Sequence, residues 1–376
     1  MNIPKCQNCG CEMVKNGKTS AGKTRWRCKS CGASRTNQID NDAKQLKVFL
    51  NWLLSKQRQL DMPSEGRTFR NHTAKFWKIW PLPPIVDEIH RVIYVDGIYI
   101  ARNIVILIAC SDEYVLGWYL ARSENSKSWA ALMSRIAPPL MVVTDGGTGF
   151  EKARKHIWPD TEVQRCTFHA FCQVKRYTTS RPNLEAGVEL YSLAKRLLSV
   201  KEEEQAYLWV AEYLAWCDRW DEFLKERTII EGKSRLTHER LVKAKRSLDR
   251  LVSKGTMFTF LDDLLTIGGP LPSTNNRIEG GVNASLRQLL REHRGLSTIR
   301  RVKAVFWWCY MHTECHLGCA DILKVMPTDD DIDAIYKKMT VPEQRFDTIP
   351  QWGDAIVWSE LHNVDSWNDS WRHDWD

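Results

Sequence analysis

Between residues 90 and 180 short apolar runs take turns with stripes of helical spacing. Arg91–Ile100, Ile104–Cys110 and Tyr114–Leu120 predict three consecutive strands joined by short turns. Ser126–Ile136 predicts a helix, Leu140–Thr144 a buried strand, and Thr148–Trp158 a second helix. Glu162–Cys166 predicts a short strand, and Ala170–Tyr177 the start of a further helix. From 181 to 270 strand patterning stops. Segments such as Leu193-Ala-Lys-Arg-Leu and Tyr207-Leu-Trp-Val predict an all-helical stretch, punctuated at its end by Pro270, Pro272 and Asn275-Asn276. On the next predicted helix Ile278, Val282, Leu286 and Leu289 form an apolar stripe. Glu279, Asn283 and Arg287 form the polar stripe beside it.

Ahead of this region, Leu46, Phe49, Leu50, Leu53 and Leu54 recur at helical spacing. A break at Met62-Pro63-Ser64-Glu65-Gly66 precedes a second stripe of Phe69, Thr73, Phe76, Trp77 and Trp80. Arg67, Arg70, Lys75 and Lys78 fall off that stripe, as the DNA-facing side of a helix-turn-helix would. A basic amphipathic linker helix is the plainer alternative. Pro81-Leu-Pro-Pro84 stops the pattern and marks a boundary.

Residues 1–36 are short, basic and rich in Gly and Cys. Cys6-x-x-Cys9 and Cys28-x-x-Cys31 stand eighteen residues apart, a zinc-ribbon spacing. Two such knuckles supply four thiolates for a closed tetrahedral Zn2+ site. A segment this small folds only with the metal's help. Between the knuckles Arg25 and Arg27 flank Trp26, which suits contact with DNA phosphates and equally a solvated basic hairpin. Charge reinforces this. Residues 1–80 carry 16 Lys/Arg against 5 Asp/Glu, whereas residues 327–376 carry 4 against 12, so a polyanion is expected at the head. There is no apolar signal core, and the longest apolar run, Ile104–Cys110, is too short to span a membrane. A cytoplasmic protein with reduced or metal-bound cysteines is expected.

Three acidic residues stand out against this pattern. Asp96 interrupts Ile-Tyr-Val-Asp96-Gly-Ile, Asp145 ends Met-Val-Val-Thr-Asp145, and Glu279 opens a helix. A buried carboxylate is costly unless it is paired or binds metal. Taken singly, Asp96 reads as a structural carboxylate and Asp145 before Gly-Gly as a turn former. As an ordered set they read as one site for a pair of divalent ions, the usual device for phosphodiester chemistry. Three antiparallel strands followed by α-β-α-β is the order of an RNase H-like domain, in which the first Asp lies on strand one and the second at the end of strand four.

Asp96, Asp145, the Cys166-Thr-Phe-His169 element and Asn276-Arg-Ile-Glu279 together resemble the Mutator-like transposases of bacterial insertion sequences. The resemblance covers roughly residues 90–310 and rests on order and spacing, with 49 residues from Asp96 to Asp145 and 134 from Asp145 to Glu279. It implies an α/β chain with an RNase H-like mixed sheet and a helical insertion. It implies that Asp96, Asp145 and Glu279 bind Mg2+ or Mn2+, and that Cys166 and His169 shape the site rather than hold zinc. The implied activity is cleavage at terminal inverted repeats and transfer of the 3′ ends to target DNA. The implied partners are double-stranded DNA and a second copy of the chain that pairs two ends, with no membrane. The implied place is the cytoplasm, on the nucleoid. A domesticated DNA-binding regulator and an RNase H-type nuclease are the alternatives; the intact triad argues against the first, the DNA-binding head and the insertion against the second.

The expected division is a ribbon over 1–36, a helix-turn-helix over 40–84, and a core in two parts over 90–180 and 271–325. The insertion fills 181–270, and an acidic Trp-rich tail occupies 326–376. Cys309, His312, Cys315, His316 and Cys319 read as a core helix with incidental thiols, because Val305-Phe-Trp-Trp before them is a packing stripe. In the tail Trp367, Trp371 and Trp375 repeat at i+4, which predicts a one-sided row of indoles. The tail is expected to pack on its own domain, with a restraining role near the DNA as the sharper reading.

Overall fold

The computed structural model describes residues 3–6, 8–36 and 41–339. The expected indole row and the rest of the tail beyond residue 339 lie outside the described residues.

The chain begins with a three-stranded antiparallel sheet, β1 (Met13–Lys18), β2 (Thr24–Cys28) and β3 (Ser34–Thr36), in that order. Its core is small: Cys6, Met13, Trp26 and Cys28 bury one another apart from the rest of the protein. Two helices follow, α1 (Asp42–Leu53) and α2 (Arg67–Thr73). The second apolar stripe is buried as read, but after Thr73 the backbone tightens into a 3-10 turn over Ala74–Lys78. Short 3-10 turns at Gln59–Asp61 and Pro63–Gly66 separate α1 from α2. Apart from the half-buried Leu54, both apolar stripes are buried beside the last helices. Phe49 meets Trp77 edge-on at 4.9 Å and Trp307 at 6.3 Å. The fully buried Lys303 reinforces the contact, with Nζ donating to Trp77 O and Asp329 Oδ1, 2.6 Å each.

The centre is a five-stranded mixed sheet made of β4 (Val92–Ala101), β5 (Ile104–Cys110), β6 (Val115–Ala121), β7 (Met141–Thr144) and β8 (Glu162–Arg165). The strand order is β6-β5-β4-β7-β8, with β4 antiparallel to β5 and parallel to β7. Successive side chains on β4 alternate between two cores. Ile93 and Val95 pack with Trp129 and Phe150 on α3 (Ser126–Met133) and α4 (Thr148–Ile157). Tyr94 and Ile98 face the larger core, on the other side. Residue 96 therefore points the same way as Tyr94 and Ile98. Covering that side are α5 (Thr167–Thr178) and the elements that follow it. The predicted elements of this region sit where expected to within three residues at each end.

The stretch 181–270 contains α6 (Glu185–Arg196), α7 (Glu203–Arg219), α8 (Asp221–Lys225), α9 (Glu239–Ser253) and α10 (Asp263–Thr266). The expectation of an all-helical insertion is corrected at one place. β9 (Arg227–Ile230) and β10 (Lys233–Leu236) form an antiparallel hairpin between α8 and α9. Glu231 and Gly232 both take positive φ at its tip, the conformation that a two-residue hairpin turn needs. Four-residue strands are too short for hydrophobic alternation to reveal; the signal was the β-branched Thr228-Ile-Ile before Glu-Gly.

The chain then returns to the sheet through a π turn at Arg277–Asn283, which runs into α11 (Ala284–Glu292). The described residues end in α12 (Thr298–Met311), α13 (Cys319–Val325) and α14 (Asp329–Met339). Among the described residues no helix is long and apolar enough to cross a membrane.

Candidate active site

Asp96, Asp145 and Glu279 come from three separate elements: the middle of β4, the residue just after β7, and the π turn before α11. Because β4 and β7 are parallel neighbours, Asp96 and Asp145 stand at the same end of the sheet. The backbone N–H of Gly97 donates to Asp96 Oδ1 at 2.9 Å, and Asn283 Nδ2 donates to Oδ2 at 2.7 Å. Burial pushes the Asp96 carboxyl up to about 7. The Gly97 N–H opposes this, while the charges of Asp145, Glu279 and Glu124 add to it. Asp145 is exposed and accepts from the Gly147 N–H at 3.3 Å. Glu279 is half-buried; burial raises its pKa, and His169 pulls it back.

Cys166 and His169 meet this group through α5. Cys166 N–H donates to Thr144 O at 3.0 Å, tying the start of α5 to the end of β7. His169 Nδ1 lies 3.3 Å from Glu279 Oε1, a charge contact that is off the line of a hydrogen bond. The Cys166 sulfur, and then Glu279, push the imidazole up to about 9 against the opposing effect of burial. Sequence reasoning missed the groups that hold these pieces together. Asn275, fully buried, donates through its N–H to Cys166 Sγ at 3.2 Å and through Nδ2 to Val95 O at 3.0 Å. Glu124, half-buried after β6, bonds with Tyr99 and feels the charge of Asp145. Its Oε1 lies 2.7 Å from where a Cβ on Gly97 would stand. Arg165 lays its guanidinium over Gly146, in the space that a side chain there would fill. Gly146 and Gly97 follow the two aspartates, and this was the one signal in the sequence.

The π turn explains how Asn283 reaches Asp96. One extra residue per turn shifts the facing of side chains, and Asn283 is fully buried rather than lying on an exposed polar stripe with Glu279.

Among the described residues two groups bring possible ligand atoms within 4.8 Å of one another: Cys6, Cys9, Cys28 and Cys31, and Cys166, His169 and Glu279. The four cysteines suit zinc. Their Sγ atoms lie 3.4 to 3.6 Å apart in the closest pairs, near the edge of about 3.8 Å that a tetrahedron with Zn–S of about 2.3 Å requires. The two knuckles match: Gly10 N–H donates to Cys6 O, Gly32 N–H to Cys28 O, and both glycines take φ near +73°. The N–H groups of Asn8 and Cys9 hold the Cys6 thiol down to about 6. Against the lowering effect of the Ala33 N–H, the Cys6 and Cys9 sulfurs push Cys31 up to about 12. Four thiols this close cannot all ionise without a cation. Cys11 is exposed and stays outside the group.

The three carboxylates do not close into one such group as they stand. A site for two ions about 3.5–4 Å apart needs a wider frame than a single-ion site. Their all-oxygen donor set suits hard divalent ions. The exposed Arg25, Arg27, Arg67 and Arg70 lie on the ribbon and α2, away from these carboxylates in the sequence. Lys75 pairs with Asp42, and Lys78 with Asp330 at 3.4 Å. Cys309 is buried and the His312 ring stacks on Trp308, so that helix is core, as its packing stripe suggests.

Residues 86–228 match the sequence profile of the family described as Transposase, Mutator family. A transposase for insertion sequence element ISRM3 of Rhizobium meliloti (strain 1021) is 25% identical over 157 residues, 38% of this chain and 38% of that protein. A transposase for insertion sequence element IS6120 of Mycolicibacterium smegmatis is 34% identical over 68 residues, 17% of this chain and 19% of that protein. The chain thus spans well under half the length of these curated relatives.

Proposed function

We propose, from the match of residues 86–228 to the Mutator family of transposases, that this chain cleaves DNA at the ends of its element and joins the 3′ ends to target DNA. In this reading the five-stranded sheet and its helices are an RNase H-like core, and residues 181–270 are an insertion within it. Asp96, Asp145 and Glu279 are the DDE triad. The observation that carries this is the convergence of three carboxylates, far apart in sequence, one of which, Asp96, burial holds partly protonated. Such a cluster is unfavourable by itself and is relieved by divalent cations.

Asp96 and Asp145 would hold Mg2+ from the two parallel strands, and Glu279 from the π turn. Bound there, a pair of ions would activate water or a 3′-hydroxyl and stabilise the leaving oxygen. The chain's own contribution is positional. Asn283 and the Gly97 N–H fix both oxygens of Asp96. Asn275 ties Cys166 to β4. Protonated His169 balances Glu279 and orients it. Zn2+ on Cys6, Cys9, Cys28 and Cys31 would order the head, where Arg25 and Arg27 flank Trp26. Arg67, Arg70, Lys75 and Lys78 would add phosphate contacts as part of a helix-turn-helix. Pairing two element ends calls for two copies of the chain.

The deciding experiment incubates the purified chain with duplex DNA carrying the ends of its element and Mg2+, and scores nicking and strand transfer. An RNA–DNA hybrid runs in parallel. Nicking of the duplex that is lost with Asp145→Asn supports the reading. Binding without nicking would identify a regulator, and cleavage of the hybrid alone a nuclease of the RNase H type.

A further inference from the structure

Outside the carboxylate site and the basic head, a further concentration of positive charge lies in the insertion. From Lys225 to Lys254 the chain carries ten Lys/Arg against four Asp/Glu, an excess of six in a chain whose net charge is +8. α9 buries Leu241, Ala244, Leu248 and Leu251. At about 100° per residue, Lys243, Arg246, Arg250 and Lys254 fall on the opposite side, and all four are exposed. Lys243 pairs with Glu239 at 2.8 Å, and Lys254 with Glu151 at 3.7 Å. Arg246 and Arg250 stand one turn apart between them, a like-charge spacing that weakens a helix. Folding alone gives no reason for it.

The direction of this stripe matters as much as its charge. α9 runs antiparallel to α5. At its start Arg240 Nη2 donates to Arg176 O at 2.8 Å, near the far end of α5. Just past its other end, Thr256 O accepts from Arg165 N–H at 2.7 Å, and Met257 O from Gln164 Nε2 at 2.9 Å. Lys254 also reaches α4, the helix that opens three residues after Asp145. The stripe therefore starts beside the carboxylate site and runs outward for about 22 Å, the length of 15 helical residues. Beyond it stands the hairpin, whose Lys233 and Arg235 share one face and are exposed.

We infer that the outer face of α9, continued by the β9–β10 hairpin, is a sequence-independent track for the phosphate backbone of duplex DNA, holding the flank of a duplex whose reacting strand lies at the carboxylates. A row of cations of this length spans several phosphates on each strand at about 3.4 Å per step. The inference rests on the reading that the chain acts on DNA.

Each phosphate neutralised releases condensed counterion, so the salt dependence of binding counts the contacts. The test measures binding of the full chain to a short fluorescent duplex of arbitrary sequence over a range of salt. The double variant R246Q/R250Q should lower the slope of log affinity against log salt by about 1.8, at about 0.9 per contact. R246K/R250K keeps the charge and should match the unaltered chain. R196Q/R219Q removes the same charge from the α6–α7 surface, where both arginines are exposed and paired with Glu212 and Glu189; its slope should not move. Equal loss in R246Q/R250Q and R196Q/R219Q would overturn the track in favour of diffuse attraction by net charge. An unchanged slope in R246Q/R250Q would overturn it too, leaving the transposase reading intact. A wild-type chain that binds no duplex at all would sink that reading and this inference together.

Discussion

Asn283 donates a 2.7 Å hydrogen bond to Asp96 across 187 residues of sequence, with its side chain fully buried. The π turn is what lets residue 283 face the sheet while residue 279 faces the same group of carboxylates. Asn283→Ala should therefore lower stability by about 1–3 kcal/mol, the cost of leaving a buried charged acceptor short of a donor. The loss should be larger at pH 8 than at pH 5, where Asp96 is protonated. Urea unfolding at the two pH values measures it, and an equal loss at both would disconnect the effect from Asp96.

Asp96→Asn, Asp145→Asn and Glu279→Gln should each abolish Mg2+-dependent nicking of element-end DNA, because each removes a charged ligand from the metal site. Folding and DNA binding should survive, since the amides keep the shape. Nicking near the normal rate by any one of the three would remove that residue from the triad.

Metal and pH should be linked. The folded Asp96 titrates near 7, above its unfolded value near 4, so folding favours the protonated acid. That contribution is fully present below the unfolded value and is lost as pH rises through 7. A divalent ion reverses the preference by binding the carboxylate. The increase in melting temperature on adding Mg2+ should thus grow between pH 6 and 8, and should shrink sharply in Asp96→Asn. A pH-independent increase that the variant retains would place the ion elsewhere.

One zinc per chain is expected, held by Cys6, Cys9, Cys28 and Cys31. Because the ribbon's core is separate from the larger ones, a chelator should unfold residues 3–36 and leave the rest folded. Hydrogen exchange before and after chelation would show this, and elemental analysis of Cys28→Ser should find the zinc gone. Zinc retained in that variant would shift attention to Cys166, His169 and Glu279.

Asp329→Ala should be among the most damaging single changes remote from the carboxylates. It leaves the Lys303 ammonium, buried 4.5 Å from the Trp80 ring, with Trp77 O as its remaining bonded partner. Breaking a buried pair this way costs about 3–5 kcal/mol, whereas Lys303→Met, which removes the charge itself, should cost less. Thermal unfolding that ranks the two the other way would contradict the pairing.

The sheet was legible because its strands are buried on both faces, or nearly so, and short turns separate them. Asp96 and Asp145 stood out for the same reason, as charges where the pattern demands apolar groups. The hairpin at Arg227–Leu236 was not legible, since four-residue strands repeat too few times to show a period. Neither was the π turn. A seven-residue widening leaves Ile278, Val282, Leu286 and Leu289 on one buried side, as an α-helix would, and moves only the polar neighbours. The supporting residues Asn275, Glu124 and Arg165 act through contacts distant in sequence, which no local pattern encodes.

Gly146 and Arg165 make one decision rather than two. Gly146 sits at φ +87°, and a Cβ there would fall 0.6 Å from Arg165 Nη1. The arginine must shrink or leave before residue 146 can grow, and even then the backbone penalises most side chains. In a library that randomises both positions, bulk at 146 should be recovered only alongside a short residue at 165. The turn that presents Asp145 is in this sense inherited as a pair, its freedom to vary set by a residue nineteen positions away at the end of the neighbouring strand.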